Sequence, residues 1–267
     1  MFWLWEDRDL TRELEVAVAA AEAAGEVLRN GFGQHQQVKY KGEVDLVTKA
    51  DEDAEQVIKQ VLQETFPHYG MLAEEGGELK GEGDVRWIVD PLDGTTNYAH
   101  GLSLFCTSIA LERDSEVVLG VVYDPMADEI YTAERGSGAT LNGERLGVSN
   151  TDDPIRALLA TGFPYDRDEV AVALELFGQF AMRTQSMRRL GSAALDLCYV
   201  AASRLDGYYE RGVKAWDVAA GVLILREAGG KVTDYLGHEL DLKIGEVVAS
   251  NGALHPDLVG VTREYRR

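Results

Sequence analysis

Basic residues, histidines and cysteines are all scarce in this chain, and each shortage removes a class of function. Lysine and arginine number 26 against 46 aspartates and glutamates, a formal net charge of −20 over 267 residues. A field of that sign repels nucleic acid and anionic membranes, so neither is expected as a partner. It also repels a phosphorylated ligand unless cations neutralise the binding site, although much of the excess acid can serve solubility alone. The two cysteines, Cys106 and Cys198, sit in apolar runs without CxxC spacing. They read as buried thiols, not as a disulfide or a zinc site. The five histidines, His35, His68, His100, His238 and His255, are scattered. That weakens zinc chemistry, a histidine nucleophile and a Ser-His-Asp triad.

Other absences narrow the field further. No run is long and apolar enough to span a bilayer, and the opening Met1-Phe2-Trp3-Leu4-Trp5-Glu6-Asp7 lacks the pattern of a signal peptide, so a cytoplasmic protein is expected. No Gly-x-Ser-x-Gly, P-loop or dinucleotide glycine motif stands in a suitable context, and Gly136-Ser137-Gly138 reads as a turn.

What is present divides into two rhythms. A helix is expected over about 9–30, with Leu10, Leu14, Ala17, Ala21 and Leu28 as its apolar stripe, Asp9 as cap and Gly31 and Gly33 as its stop. Val38 to Val47 alternates around Lys41-Gly42-Glu43, which suggests a hairpin or loop. A second helix follows, opened by Thr48 and Asp51 at capping-box spacing and closed by Phe66-Pro67. A β-rich block comes next, with strands at 87–89, 104–111, 117–123, 129–133 and 139–146, the last turning at Asn142-Gly143. Short connections imply antiparallel pairing. After about Asn150, strands at 157–161, 186–190, 205–209 and 247–250 alternate with helices at 169–182, 192–203, 216–228 and the C-terminus. That alternation favours a layered α/β half. The chain is therefore expected to form an N-terminal α+β half (1–150) and a C-terminal α/β half (151–267).

The chemistry concentrates in Trp87-Ile88-Val89-Asp90-Pro91-Leu92-Asp93-Gly94-Thr95-Thr96-Asn97. An apolar strand delivers Asp90 to its end, and Asp93 follows on a turn stiffened by Pro91. Two carboxylates so close repel each other unless something positive lies between them. Hard oxygen ligands of this kind suit Mg²⁺. Gly94 allows close backbone approach, and a helix opening at Thr95-Thr96 would offer N–H groups to a phosphate. The Asp-Gly-Thr-Thr tetrapeptide alone would be an ordinary turn; with Asp90 and the strand attached it reads as a site. Glu74-Glu75-Gly76 after Met71-Leu72-Ala73 could be a solvated acidic loop or could place a glutamate inward. Asp217, in Trp216-Asp217-Val218-Ala219-Ala220-Gly221, fits a first helical turn on dipole grounds alone, and it would also serve as a rigid metal ligand. A carboxylate-rich site without a protein nucleophile fits metal-activated water attacking a phosphate ester.

These segments resemble the inositol monophosphatase family. Asp45-Leu46-Val47-Thr48-Lys49-Ala50-Asp51 is similar to its first acidic segment, and Glu74-Glu75-Gly76 to its Gly-Glu-Glu-Ser-like segment. Trp87 to Asn97 is similar to its central signature throughout, Gly191-Ser192-Ala193-Ala194 to its Gly-Thr/Ser-Ala segment, and Trp216 to Gly221 to its C-terminal signature. The motifs run in family order from Lys41 to Asn251.

The resemblance implies a five-layer α/β/α/β/α sandwich of the sugar-phosphatase type, commonly a homodimer, for which Trp3 and Trp5 are candidate interface aromatics. It implies a first Mg²⁺ on Glu74, Asp90 and the Leu92 carbonyl, a second on Asp90, Asp93 and Asp217, and a third, weaker ion helped by Glu74. Thr95, with Asp45 and Glu74, would orient the attacking water, and Lys41 would sit on a mobile loop. Gly94 and Thr95 would bind phosphate. Asp93, Gly191, Ser192, Ala193, Glu210 and Asp217 would line the substrate side. The implied reaction is hydrolysis of an inositol monophosphate. Fructose-1,6-bisphosphatase or histidinol-phosphatase activity stays open, with nucleotide 3′-phosphatases ranked lower because Thr96-Asn97-Tyr98 follows the inositol-type signature. A regulatory binding protein that retains the phosphatase fold is the alternative from another class.

Overall fold

The structure, a computed structural model, describes residues 10–34, 38–40, 46–164 and 166–265. Asp45, Lys41, Asp9, Trp3 and Trp5, all named above, lie outside these residues.

Two helices begin the chain. α1 (Thr11–Gly31) buries Ala17, Ala20, Ala21, Ala24 and Leu28 on one face. A short antiparallel pair, β1 (Val38–Tyr40) and β2 (Leu46–Thr48), leads into α2 (Lys49–Thr65). The capping box forms as the spacing suggests: the Asp51 carboxylate accepts from the Thr48 N–H at 2.8 Å.

The first large sheet is built from β3 (Gly70–Ala73), β4 (Gly77–Leu79), β5 (Val85–Asp93), β6 (Cys106–Arg113), β7 (Glu116–Asp124), β8 (Glu129–Glu134), β9 (Gly138–Leu141) and β10 (Glu144–Arg145), with the short helix α3 (Thr95–Ala99) leaving β5. Its order is β10-β9-β8-β7-β6-β5-β3-β4, and only the β3–β5 pair is parallel. Period-two alternation sorts its side chains. Trp87, Val89, Ile109, Leu111 and Val121 pack under α1 and α2, whereas Ile88, Ala110 and Val122 face the opposite side.

The remainder supplies β11 (Leu158–Thr161), α4 (Arg167–Ala181), β12 (Ser186–Arg188), α5 (Ala193–Ala201), β13 (Gly207–Arg211), α6 (Ala215–Glu227), β14 (Lys231–Thr233), β15 (Glu246–Ser250) and α7 (His255–Thr262). The second sheet runs β12-β11-β13-β15-β14, with β11 parallel to both neighbours and β15 antiparallel to both of its own. Helices α5 and α6 lie between the sheets and share one core with the inner faces of both. Leu176 and Phe180 of α4 and Leu258 and Val259 of α7 cover the outer face of the second sheet. The result is the expected α/β/α/β/α stack. A glycine brings the middle layer close: a Cβ at Gly120 of β7 would stand 2.8 Å from the Ala220 carbonyl oxygen of α6.

Candidate active site

One expectation about the central signature needs correction. The strand does not stop before Asp90. β5 pairs with β6 as far as Asp90 opposite Ser108, breaks register, and resumes at Asp93 opposite Cys106. Proline has no N–H for a ladder, so a bulge is where a strand tolerates it. Thr107 Oγ1 donates to the Pro91 carbonyl at 3.0 Å and holds the bulge in place. The broken register sets both carboxylates at the sheet's working end. Gly94 then turns the chain at φ 99°, a left-handed conformation, with no room for a Cβ beside the Leu104 carbonyl.

Parallel pairing of β3 with β5 brings the next acid to the same place. Ala73 lies opposite Val89, and the Glu74 N–H donates to the Val89 carbonyl at 3.2 Å. Glu55 of α2, a buried residue, accepts from the Glu75 N–H at 2.9 Å and from the Gly76 N–H, which pins the acidic turn. Asp217 arrives from the first turn of α6, where its carboxylate accepts from the Lys214 N–H at 2.7 Å. Glu74, Asp90, Leu92, Asp93, Gly94, Thr95, Gly191, Ser192, Ala193, Glu210 and Asp217 all line one cleft of about 110 Å³. Asp45 and Lys41, also expected at the site, lie outside the described residues.

Electrostatics in the cleft are severe. Asp90 is 2% exposed. Burial first, then the charges of Glu74, Asp93 and Asp217, pushes its carboxyl well above the usual range. Burial raises Asp93 to about 6, although Ser192 Oγ (2.6 Å), the Ala194 N–H (2.8 Å) and the Ala193 N–H all donate to it. Asp217 also rises well above its ordinary value through burial, against the bond from Lys214 and with Asp93, Glu74 and Glu210 adding to the rise. No lysine or arginine among the described residues forms an ion pair with Asp90, Asp93 or Asp217. A buried cluster of like charges with no ion pair among the described residues must take up protons or a cation. The donor set is all carboxylate and carbonyl oxygen, which suits a hard divalent ion. Among the described residues, no three His, Cys, Asp or Glu side chains already stand in a metal cage. Mg²⁺ does not require one, because it holds few carboxylates and completes its octahedron with water and phosphate oxygens.

Other residues in the cleft or behind it have contacts that the sequence does not announce. Asp51, expected as a helix cap and as the end of the segment similar to the family's first acidic one, also accepts from Thr95 Oγ1 at 3.0 Å, and burial raises its carboxyl to about 6. Asp51 is fully buried. Thr95 Oγ1 has a second acceptor in the Leu92 carbonyl, also at 3.0 Å. Asn97 donates to the Leu104 and Leu190 carbonyls at 2.7 and 2.8 Å and so ties the central signature to the segment before Gly191. Gly162, Arg189 and Asp196 line the far end with Glu210. The capping-box letters announced one role of Asp51; nothing local announced the others, which depend on contacts across the fold.

Comparison with known proteins now decides the family. Residues 9–267 match the model described as the inositol monophosphatase family. The chain belongs to the inositol monophosphatase family. It is 46% identical over 255 residues to an inositol-1-monophosphatase of Mesorhizobium japonicum, covering 94% of this chain and 96% of the relative. It is 44% identical over 241 residues to a Pasteurella multocida protein named Nus factor SuhB, covering 89% and 90%. Among solved structures, the extragenic suppressor protein suhB of Bartonella henselae superposes with a TM-score of 0.92 at 41% identity, covering 95% of this chain and 99% of that one. The inositol monophosphatase fold is thus shared almost end to end.

Proposed function

We propose that this member of the inositol monophosphatase family is a Mg²⁺-dependent phosphomonoesterase that hydrolyses inositol monophosphate to inositol and phosphate. The observation that carries the reading is Asp90: a carboxylate 2% exposed, flanked by Glu74, Asp93 and Asp217, with no ion pair among the described residues. Glu74, Asp90 and the Leu92 carbonyl would hold one ion; Asp90, Asp93 and Asp217 would hold another, with Glu74 helping a third. When bound, Mg²⁺ supplies the missing positive charge, activates water and stabilises the departing alkoxide.

The chain's own residues do the orienting. The Thr95 hydroxyl donates its hydrogen bond to Asp51 or the Leu92 carbonyl, so its oxygen can act as an acceptor towards the attacking water. Asp45 and Glu74 would assist there. The Gly94 and Thr95 amides would bind the phosphate oxygens. Beyond them, Gly191, Ser192, Ala193 and Glu210 line the side where the polyol would lie, with Asp93 and Asp217 at the boundary. Ser192 acts there through Asp93, to which its hydroxyl is committed.

The test is phosphate release from inositol-1-phosphate, fructose-1,6-bisphosphate, histidinol phosphate and a 3′-phosphonucleotide, with and without Mg²⁺. Metal-dependent release that favours inositol-1-phosphate is expected. Preference for another ester would reassign the substrate, and metal-independent release would contradict the chemistry. A second reading, in which the protein also has a binding role, is prompted by the relative named Nus factor SuhB. With a net charge of −20, such a role fits a protein partner better than direct contact with nucleic acid. A pull-down with wild type and Asp90→Asn separates the two, because binding would survive the loss of turnover. The proposed working form is a cytoplasmic homodimer. No helix among the described residues is long and apolar enough to cross a membrane.

A further inference from the structure

The far end of the cleft is organised around one carboxyl. Thr161 of β11 lies opposite Tyr209 of β13, so Gly162, one residue past the end of β11, lies beside Glu210. The Gly162 N–H donates to the Glu210 carboxylate, and Tyr208 Oη donates to Glu210 Oε2 at 2.7 Å. Both donors are rigid: one is backbone leaving a paired strand, and Tyr208 is fully buried. A Cβ at position 162 would fall on all three carboxyl atoms of Glu210, far inside van der Waals contact. Asp196 lies nearby, 1% exposed and with Oδ1 lacking a hydrogen-bond partner. Arg189 is the cation that acts on both acids. Two carboxyls against one guanidinium make this end a place for hydrogen-bond donors, as polyol hydroxyls are.

We propose that Gly162 is a specificity-determining residue: having no Cβ, it leaves the space in which the Glu210 carboxyl stands to receive polyol hydroxyls. The inference rests on the polyol-phosphate reading above. Gly162 is not needed for its backbone, since its φ lies outside the left-handed region that favours glycine. It is needed because of what it touches, and what it touches is the movable tip of a side chain. Alanine should therefore leave the sheet intact and displace the carboxyl. Selectivity should fall, because a site built to bond hydroxyls discriminates only while its acceptors are in place.

The experiment pairs a crystal structure of Gly162→Ala with kinetics on inositol-1-phosphate and 4-nitrophenyl phosphate, which has no polyol. In the structure, the Glu210 carboxyl is expected to leave hydrogen-bond reach of Tyr208 Oη. In the kinetics, the ratio of kcat/KM for the two esters is expected to fall about tenfold, mainly through KM for the inositol ester. In a Glu210→Ala background, where the clash is gone, Gly162→Ala should change that ratio less than about twofold and leave the melting temperature of the single Glu210→Ala variant unaltered. A carboxyl that stays in place, an unchanged ratio, or an equal effect in both backgrounds would overturn the proposal. A wild-type enzyme that shows no preference for the inositol ester would instead overturn the polyol reading, while the crystal structure still decides whether Gly162 positions Glu210.

Discussion

Ser192 Oγ donates to Asp93 Oδ2 at 2.6 Å across 99 residues of chain. The same oxygen accepts from the Ala194 N–H at 2.8 Å, so the start of α5 saturates one side of the carboxylate. Ser192→Ala is expected to loosen Asp93 without removing its charge. Half-saturation for Mg²⁺ should rise roughly 10-fold, in the range typical of losing a partner that orients a metal ligand, with a smaller change in kcat at saturating metal. Titration calorimetry and steady-state kinetics check this, and an unchanged metal affinity would show that Ser192 does not position Asp93.

Thr95 and Asp51 form the second testable pair. Thr95→Ala should lower kcat about 10²-fold with little change in KM, as expected when a group that orients water is lost. Thr95→Ser keeps the hydroxyl and should recover most of the rate. Equal kcat in the alanine and serine variants would remove the hydroxyl from the reaction.

Glu55 does not face the proposed ions, yet it holds the turn that carries Glu74 by accepting from the Glu75 and Gly76 N–H groups. Glu55→Ala frees that turn. Apparent Mg²⁺ affinity is expected to fall several-fold, and the protein should lose about 1–2 kcal/mol of stability as hydrogen bonds to a carboxylate are lost. Chemical denaturation and metal titration measure the two effects separately.

The raised carboxyls give stability of the metal-free protein a definite pH dependence. Asp51 and Asp93, both near 6, and Glu210, near 7, bind protons more tightly folded than unfolded. Their contribution is therefore complete below the ordinary carboxylate range and is lost as pH rises through about 6 to 7. A divalent ion held by Asp93 would take the place of its proton, so the stabilising effect of Mg²⁺ should grow as pH rises. Melting curves at pH 5 and pH 8 should show a larger shift on adding Mg²⁺ at pH 8. A shift equal at both values would mean that the ion does not bind at Asp93.

Local signals in the sequence revealed most of the helices and the hairpin at Asn142-Gly143, because caps, turns and periodicity are properties of neighbouring residues. The capping box of Thr48 and Asp51 is legible from four letters. By contrast β3, β4 and β14 are only three or four residues long, too short for alternation to show. The site was legible as an inventory, not as an arrangement. Whether Glu74 faced inward depended on β3 pairing in parallel with β5, a contact that leaves no trace in either segment. The contacts of Asp51 and Asn97 and the role of Gly162 were not legible for the same reason: each acts on a partner brought to it by the fold, and Gly162 acts by lacking an atom. The extent of β5 was misjudged because proline normally ends a strand, and the bulge that accommodates it depends on Thr107 across the sheet.

The most direct test of the buried carboxylate cluster is turnover of inositol-1-phosphate by wild type and Asp90→Asn at saturating Mg²⁺, with melting curves of both. Loss of about 10³-fold or more in kcat is expected, as for removal of a shared metal ligand, with folding retained because the substitution deletes a buried charge and keeps the shape. Turnover within a few-fold of wild type in a folded Asp90→Asn protein would contradict the assignment of Asp90 as the centre of the metal site.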